Sequence, residues 1–392
     1  MDFSWSEEDR RFRQEIHDYI ASLLPPDWSQ KADFIEEEDA GQEFEKFFAR
    51  KLGEKHWLAV GWPKEYGGMG WTPIQQLIFM EELHSLRAPR SFIAPGIFQV
   101  GPILLVHGTD EQKEQFVRPT GRGELRWCTL FSEPGAGSDL ASLKIKAEDK
   151  GDYFLLNGQK IWTTRGHKAE HGILLARTDE TAPKHKGISL FVVDMNWPGV
   201  KIQPIINLAN VHSFNAVFFD NVKVPRSRLV GKQNMGWYVV STFLNMERSG
   251  IKFHAPAAYM FNEILDFVKQ PEATGFCGDT PVMRHRIADM AIQMQVSRLL
   301  CYRVAWLQTI GAPPRYEASL SKLFSTELTQ RVTELGMEVL GLHSQLTPQS
   351  YRRLLNGKIE RRHLIARQET LGGGTSEVQR NIIAQSGLGL PR

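Results

Sequence analysis

The chain has 392 residues, 42% of them hydrophobic and 23% charged, and a formal net charge of +2. That length exceeds what one small core serves and points to two or three subdomains of ordinary globular composition. So small a net charge leaves no electrostatic footprint for nucleic acid.

The first third reads as helical. Ser6-x-x-Asp9 resembles a helix start, and Phe12, Ile16, Tyr19, Ile20 and Leu23 follow helical spacing until Pro25-Pro26 ends it. Residues 41–60 and 72–88 suggest further helices. Between them Trp62-Pro63-Lys64-Glu65-Tyr66-Gly67-Gly68-Met69-Gly70 reads as an ordered loop. Near residue 126 the pattern changes. Phe154-Leu155-Leu156, Asn157-Gly158 and Gln159-Lys160-Ile161-Trp162 predict a hairpin, because Asn-Gly suits the positive φ of a type I′ turn. Short apolar runs follow at 173–176, 188–193, 217–219 and 222–224, which together describe a β domain. From Gly236 the helical period returns over 237–268, 283–310, 315–341 and about 349–367, with a breaker-rich connection at 271–281. The expectation is a multi-domain α+β chain: an N-terminal α-helical domain (1–125), a middle antiparallel β domain (126–235) and a C-terminal four-helix bundle (236–392).

Cys128, Cys277 and Cys301 form no Cys-x-x-Cys pair, so neither a zinc site nor a disulfide framework is indicated, and no metal is expected. The stretch Met1-Asp2-Phe3-Ser4-Trp5-Ser6-Glu7-Glu8 lacks the basic start and apolar run of a signal peptide and is too acidic for a transit peptide. No run reaches the ~18 apolar residues of a membrane span. A cytoplasmic protein is the expectation. The basic pairs Arg352-Arg353 and Arg361-Arg362 fit either a solvated helix face or a phosphate contact.

Three segments carry chemical potential. In Phe131-Ser132-Glu133-Pro134-Gly135-Ala136-Gly137-Ser138-Asp139 the glycines permit close approach of backbone to a ligand, and N–H groups and hydroxyls can meet a phosphate or ring carbonyl. Trp162-Thr163-Thr164-Arg165-Gly166 sets an aromatic ring beside hydroxyls, which suits a flat cofactor. Gly372-Gly373-Gly374-Thr375-Ser376-Glu377-Val378-Gln379-Arg380 suits an anion or ring site where a helix begins. Taken singly, each also fits a turn, a strand end or an N-capped loop.

In this order and spacing the three resemble the acyl-CoA dehydrogenases, over essentially the whole chain. Trp62-Pro63-Lys64-Glu65-Tyr66-Gly67-Gly68, Phe219-Asp220-Asn221-Val222-Lys223-Val224-Pro225 and Ile287-Ala288-Asp289-Met290-Ala291 are similar to that family as well. The resemblance implies FAD-dependent α,β-dehydrogenation of an acyl-CoA thioester to the trans-2-enoyl-CoA, with electrons passed to an electron-transfer flavoprotein. It assigns FAD contacts to Thr129, Leu130, Ser132 and Ser138, to Trp162 and Thr164, and to Thr375 and Glu377. Ser138 would also lie near the acyl-CoA, and Gly374 near the thioester.

The best-known members carry their catalytic glutamate where this chain has Gly372-Gly373. Others, similar to the isovaleryl and long-chain types, carry it on the first long helix after the β domain, and Asn245-Met246-Glu247-Arg248 matches that pattern. On one continuous helix Val240, Leu244, Glu247, Ile251, Ala255, Ala258 and Leu265 fall within an arc of about 80°. Glu247 would be the one charge on an apolar stripe, and a buried carboxylate needs a partner or a task. The resemblance makes Glu247 the catalytic base, with Asn245 and Arg248 serving the substrate. A salt bridge to a neighbouring helix is the bland alternative for Glu247.

Two departures stand out. The family's Arg-x-x-Phe-Gly motif and following glutamine, which reach the FAD of a neighbouring subunit, are replaced by Pro271-Glu272-Ala273-Thr274-Gly275-Phe276-Cys277-Gly278 and Pro281. The Gln-Ile-x-Gly-Gly segment reads Glu338-Val339-Leu340-Gly341-Leu342. Arg284 is a candidate substitute. This pattern is similar to the bacterial branch that includes steroid side-chain-degrading dehydrogenases, some of which pair two different subunits. Both a homo-oligomer (dimer or tetramer) and a hetero-oligomer with a related subunit, its own FAD sites incomplete, stay open. So do an acyl-CoA oxidase and a non-enzymatic subunit of a heteromer.

Overall fold

A capping box begins the first helix. The Ser6 hydroxyl accepts from Asp9 N at 3.0 Å and the Asp9 carboxylate accepts from Ser6 N, starting α1 (Glu7–Leu23), whose Ile16 and Ile20 are buried as their spacing predicts. The computed structural model describes residues 5–32, 39–90, 92–243, 250–270 and 280–391. After α2 (Trp28–Lys31) comes α3 (Asp39–Glu54), which ends short of the expected residue 60 because His56 turns left-handed at φ 59°. Thr72 supplies a second capping box, with proline at the first helical position, to α4 (Pro73–Ser85). Three short helices follow: α5 (Gly101–His107), α6 (Asp110–Gln112) and α7 (Arg118–Gly121).

The β region holds β1 (Trp127–Leu130), β2 (Lys146–Asp149), β3 (Tyr153–Lys160), β4 (His171–Arg177), β5 (Ile188–Asp194), β6 (Val200–Ile206), β7 (His212–Pro225) and β8 (Leu229–Val230). Their order is β6-β7-β3-β2-β4-β5-β8, with β1 beside β4. The sheet is antiparallel except where β4 meets β1 and β2, which it pairs in parallel.

The expected hairpin at Asn157-Gly158 is not there. Both residues lie inside β3, at a bulge in its pairing with β7, and the reversal falls instead at Gly151 (φ 85°) between β2 and β3. Gly158 is required for a different reason. At φ 142°, a Cβ there would come within 2.8 Å of Ile145 Cγ1. Likewise 217–224 is not two strands but one, β7, bent through Asn221 at φ 52°.

Helices resume as α8 (Gly236–Phe243), α9 (Ile251–Val268), α10 (Pro281–Thr309), α11 (Glu317–Leu340), α12 (Lys358–Glu369) and α13 (Ser376–Ile382). The continuous helix expected over 237–268 is therefore divided. Gly250 sits at φ 76°, outside helical space, and a Cβ there would meet Ser321 Oγ at 2.2 Å. The single-helix arc that grouped Val240 and Glu247 with Ile251 and Leu265 does not survive this break.

The described residues pack as two compact units. One comprises Glu37–Trp71 and Pro89–Glu247 and holds the sheet; the other comprises Met1–Glu36, Thr72–Ala88 and Arg248–Arg392. In the helical unit α1 lies on α4, with Arg13 bonded to Glu81 and Glu82 at 2.6 Å each. Its core is apolar side chains of α9, α10 and α11, among them Phe261, Ile264, Met290, Leu328 and Leu335. Gly336 lets α11 approach closely, since a Cβ there would meet Ile359 Cδ1 at 2.9 Å and Ile264 Cδ1 at 3.0 Å. None of the described helices is long and apolar enough to cross a membrane.

Candidate active site

The 131–139 loop is fastened from beneath by a buried ion pair that the sequence reading missed. Lys160, at the end of β3, is fully buried, and its Nζ donates to Glu133 Oε1 at 2.9 Å and to Phe131 O at 2.8 Å. The same carboxylate accepts from Lys144 N at 2.6 Å and Ile145 N at 3.0 Å. Burial pushes the Lys160 ammonium down to about 8, against the pull of Glu133. Glu133 and Ala136 exchange main-chain bonds of 2.9 and 3.0 Å, closing the turn around Pro134-Gly135. The one sequence signal for this pair was a lysine at a position where strand alternation demands an apolar residue.

That floor leaves the upper face of the loop free for a ligand. Leu130 is fully buried in β1, paired with Leu174, while Thr129 and Ser132 are half-buried and Ser138 is exposed. Added Cβ atoms at Gly135 or Gly137 would meet nothing within 4 Å, so these glycines border open space.

The Trp162 turn adjoins this loop, because Ile161 N donates to Ser132 O at 2.9 Å. Trp162 sits at φ 60°, a left-handed conformation uncommon for a bulky residue, and its ring is 57% exposed. Thr164 is also exposed, whereas Thr163 points inward with its hydroxyl buried and without a partner. An outward indole, two outward hydroxyls (Ser138 and Thr164) and an open glycine loop form a surface suited to a flat ring with a polar tail. These residues fit a flavin nucleotide.

In the helical unit, the Gly372–Glu377 segment runs between α12 and α13. The sequence reading also missed Lys322 of α11, a buried lysine whose Nζ donates to Gly374 O at 2.8 Å and Glu369 O at 3.1 Å. Gly374 stands at φ 92°. Thr375 caps α13 with its hydroxyl, which accepts from Val378 N at 3.3 Å. Glu377 is exposed, and its carboxyl is held below the usual range by hydrogen bonds from its own N–H and from Thr375. It borders an open cleft of about 410 Å³ whose rim includes Gln330, Arg331, Ser376 and Arg380.

Thr129, Leu130, Ser132, Ser138, Trp162 and Thr164 thus share the sheet-bearing unit, and Gly374, Thr375 and Glu377 the helical one. Asn245, Glu247 and Arg248 lie outside the described residues, as does the departure segment 271–278. Glu338, at the other departure, is salt-bridged to Arg286 of α10, and Leu342 is 82% exposed.

Helices, then a sheet, then a helical bundle make up the chain, with a glycine-bordered polar surface beside an exposed indole on the sheet-bearing unit. Models of the acyl-CoA dehydrogenase N-terminal, middle and C-terminal domains match residues 6–124, 128–222 and 234–388. The chain belongs to the acyl-CoA dehydrogenase family. It is 35% identical to acyl-CoA dehydrogenase FadE26 of Mycobacterium tuberculosis, over 100% of this chain and 99% of that protein. In structure it resembles the ChsE4-ChsE5 complex of Mycobacterium tuberculosis, at a TM-score of 0.88 and 34% identity, with all of both chains covered. It also resembles the Tcur3481-Tcur3483 steroid ACAD, at a TM-score of 0.90 and 31% identity over 100% of each chain. The chain is an acyl-CoA dehydrogenase, an oxidoreductase of a flavin-dependent family, and its reaction is the α,β-dehydrogenation of an acyl-CoA thioester.

Proposed function

We propose that this chain binds FAD at the surface formed by Thr129, Leu130, Ser132, Ser138, Trp162 and Thr164, and that Thr375 and Glu377 of the helical unit are FAD contacts as well. The observation that carries the reading is Trp162, an exposed indole held left-handed directly beside the 131–139 loop. FAD, when bound, supplies the acceptor for the substrate's β-hydrogen and its electron pair. The residues of the chain do the rest. Glu247 takes the α-proton of the thioester, and Asn245, Arg248, Ser138 and Gly374 serve the acyl-CoA. A carboxylate is a weak base in water, so exclusion of water by bound substrate raises its proton affinity to suit the task. Gly372 and Gly373 offer no side chain that could take the proton instead. Anaerobic addition of acyl-CoA to the FAD-loaded protein tests the assignment, with bleaching of the flavin as the signal.

The acyl group is bulky or branched in this reading. The glutamate that the best-known members carry at 372–373 is replaced by glycine, and added side chains there would meet little: nothing within 4 Å at Gly373, and Gln368 O at 3.7 Å at Gly372. Likeness to a protein named a steroid ACAD supports the same class. A panel of acyl-CoA thioesters, from short linear to steroid-bearing, should bleach the flavin fastest at the bulky end. Electrons then pass to an electron-transfer flavoprotein in the cytoplasm.

The protein assembles as a homo-oligomer, a dimer or tetramer, with one FAD per chain. A second reading, pairing with a related chain, is favoured by the 338–342 segment, where Glu338 is engaged by Arg286 rather than offered to a neighbour's cofactor. Native mass measurement of the protein expressed alone, with its flavin count, decides between them. One FAD per chain in a symmetric oligomer rules out the mixed assembly.

A further inference from the structure

The left-handed turn that presents Trp162 needs support. Trp162 at φ 60° and Arg165 at φ 51° are two side-chain-bearing residues in left-handed space within four positions, each costing about 1 kcal/mol or more when unsupported. Flanking strand pairing cannot supply the compensation, since β3 has ended at Lys160. It comes from the start of β7, some fifty residues further along.

Asn215 of β7 is fully buried and grips residue 163 twice. Its main-chain O accepts from Thr163 N at 3.0 Å, and its side-chain Nδ2 donates to Thr163 O at 3.0 Å. Beside it, Arg165 N donates to Ser213 O at 2.9 Å. The Asn215 amide is itself held by two imidazoles. Its second Nδ2 hydrogen goes to His167 Nδ1 at 3.1 Å, and its Oδ1 accepts from His212 Nε2 at 2.8 Å. Those bonds require His167 to be neutral, with its proton on Nε2, and His212 to carry a proton on Nε2. The two rings stack, with centroids 3.8 Å apart and planes 16° from parallel. Partial desolvation, with His212 alongside, pushes His167 down to about 4, so it is neutral at physiological pH. Phe214, between Ser213 and Asn215, meets the Trp162 ring edge-on at 6.1 Å. Gly166 packs closely on the same turn: a Cβ there would lie 2.8 Å from Thr163 Cγ2.

We propose that Asn215, braced by the stacked His167 and His212, is a positioning residue for the flavin: it locks the turn at Trp162 and so sets how the indole meets the ring. This rests on the reading of Trp162 as a flavin contact. Asn215 touches neither cofactor nor substrate in this role; it acts through residues 162–164. A buried amide with both donors committed tolerates little movement, because any shift leaves a polar group unpaired.

The test uses the FAD-loaded full-length protein and four variants: Trp162→Phe, Asn215→Ala, Asn215→Asp, and Trp162→Phe combined with Asn215→Ala. Visible circular dichroism of the bound flavin, the rate of flavin reduction by acyl-CoA and the KM are measured for each. Trp162→Phe should change the dichroism and slow reduction on the order of tenfold, with KM little changed. Asn215→Ala should reproduce both effects, and the double variant should add nothing, since one change acts through the other. Should Asn215→Ala not fold, Asn215→Asp carries the test: it keeps the volume and the acceptor for His212 but sets an oxygen against Thr163 O. Folded Asn215 variants with parental dichroism and rate, or an additive double variant, overturn the proposal while leaving the Trp162 contact standing. If Trp162→Phe alone changes nothing, the flavin-contact reading itself fails, and the proposal with it.

Discussion

The Lys160 ammonium and the Glu133 carboxylate meet at 2.9 Å in the fully enclosed floor of the 131–139 loop. A buried pair is weak evidence of net stabilisation, but removing one member leaves the other charge stranded. Here Lys160 also holds Phe131 O, and Glu133 also holds two main-chain N–H groups. Lys160→Met should therefore destabilise the protein by about 3–5 kcal/mol in urea unfolding. Glu133→Gln removes the counter-charge and sets an amide NH2 against one of the two main-chain donors, so it should be destabilising in the same range.

Lys322 plays the corresponding part in the helical unit, tying Glu369 O and Gly374 O together. Lys322→Met removes two charge-assisted bonds and should lower stability by roughly 1.5–3 kcal/mol. The same variant should weaken FAD retention on a desalting column, because the Gly374–Glu377 segment loses its anchor. Retention equal to the parent would separate Lys322 from the cofactor site.

The three consecutive glycines of that segment differ in what they require. Gly374 is at φ 92°, and a Cβ there would lie 2.5 Å from Gln379 Nε2, whereas at Gly372 the nearest atom is Gln368 O at 3.7 Å. Gly374→Ala should cost about 1 kcal/mol or more, from left-handed strain and displacement of Gln379. Gly372→Ala should fall within about 0.5 kcal/mol of the parent. Thermal melts of the two variants check the difference.

His254 gives the stability a defined pH dependence. It is buried on α9, bonded to Ser297 Oγ at 3.0 Å, with Glu81 and Arg298 nearby, and burial pushes it from 6.5 down to about 4. A depressed histidine disfavours its own protonation in the folded state, so the unfolded chain takes up the proton first. Its contribution is present in full above pH 6.5 and is lost as pH falls from 6.5 towards 4, by roughly 3 kcal/mol over that window. Urea titrations across it should show that slope in the parent and a shallower one in His254→Asn.

The sequence made the helices legible where their ends carry local chemistry. Ser6-x-x-Asp9 marks α1, where a capping box forms, and the helical stretch expected from residue 72 begins where Thr72 caps α4. Asn157-Gly158 misled, because the turn preference of the dipeptide yields to β3 pairing with β7 some sixty residues away. Gly250 was invisible for the converse reason: a lone glycine in a helical period does not announce a left-handed break that close packing against Ser321 enforces. Within the candidate site, the segments that face outward were recognisable as motifs. Lys160, Lys322 and Asn215 were not, since each acts on main-chain carbonyls far away in sequence, and no local pattern records that.

The most direct test of the proposed chemistry is the rate at which a bulky acyl-CoA bleaches the flavin of the FAD-loaded Glu247→Gln protein under anaerobic conditions. This variant should keep FAD and bind the thioester but reduce the flavin at least about a hundredfold more slowly than the parent, as expected on removing a positioned base. Bleaching within a few-fold of the parent rate would mean that another group takes the α-proton.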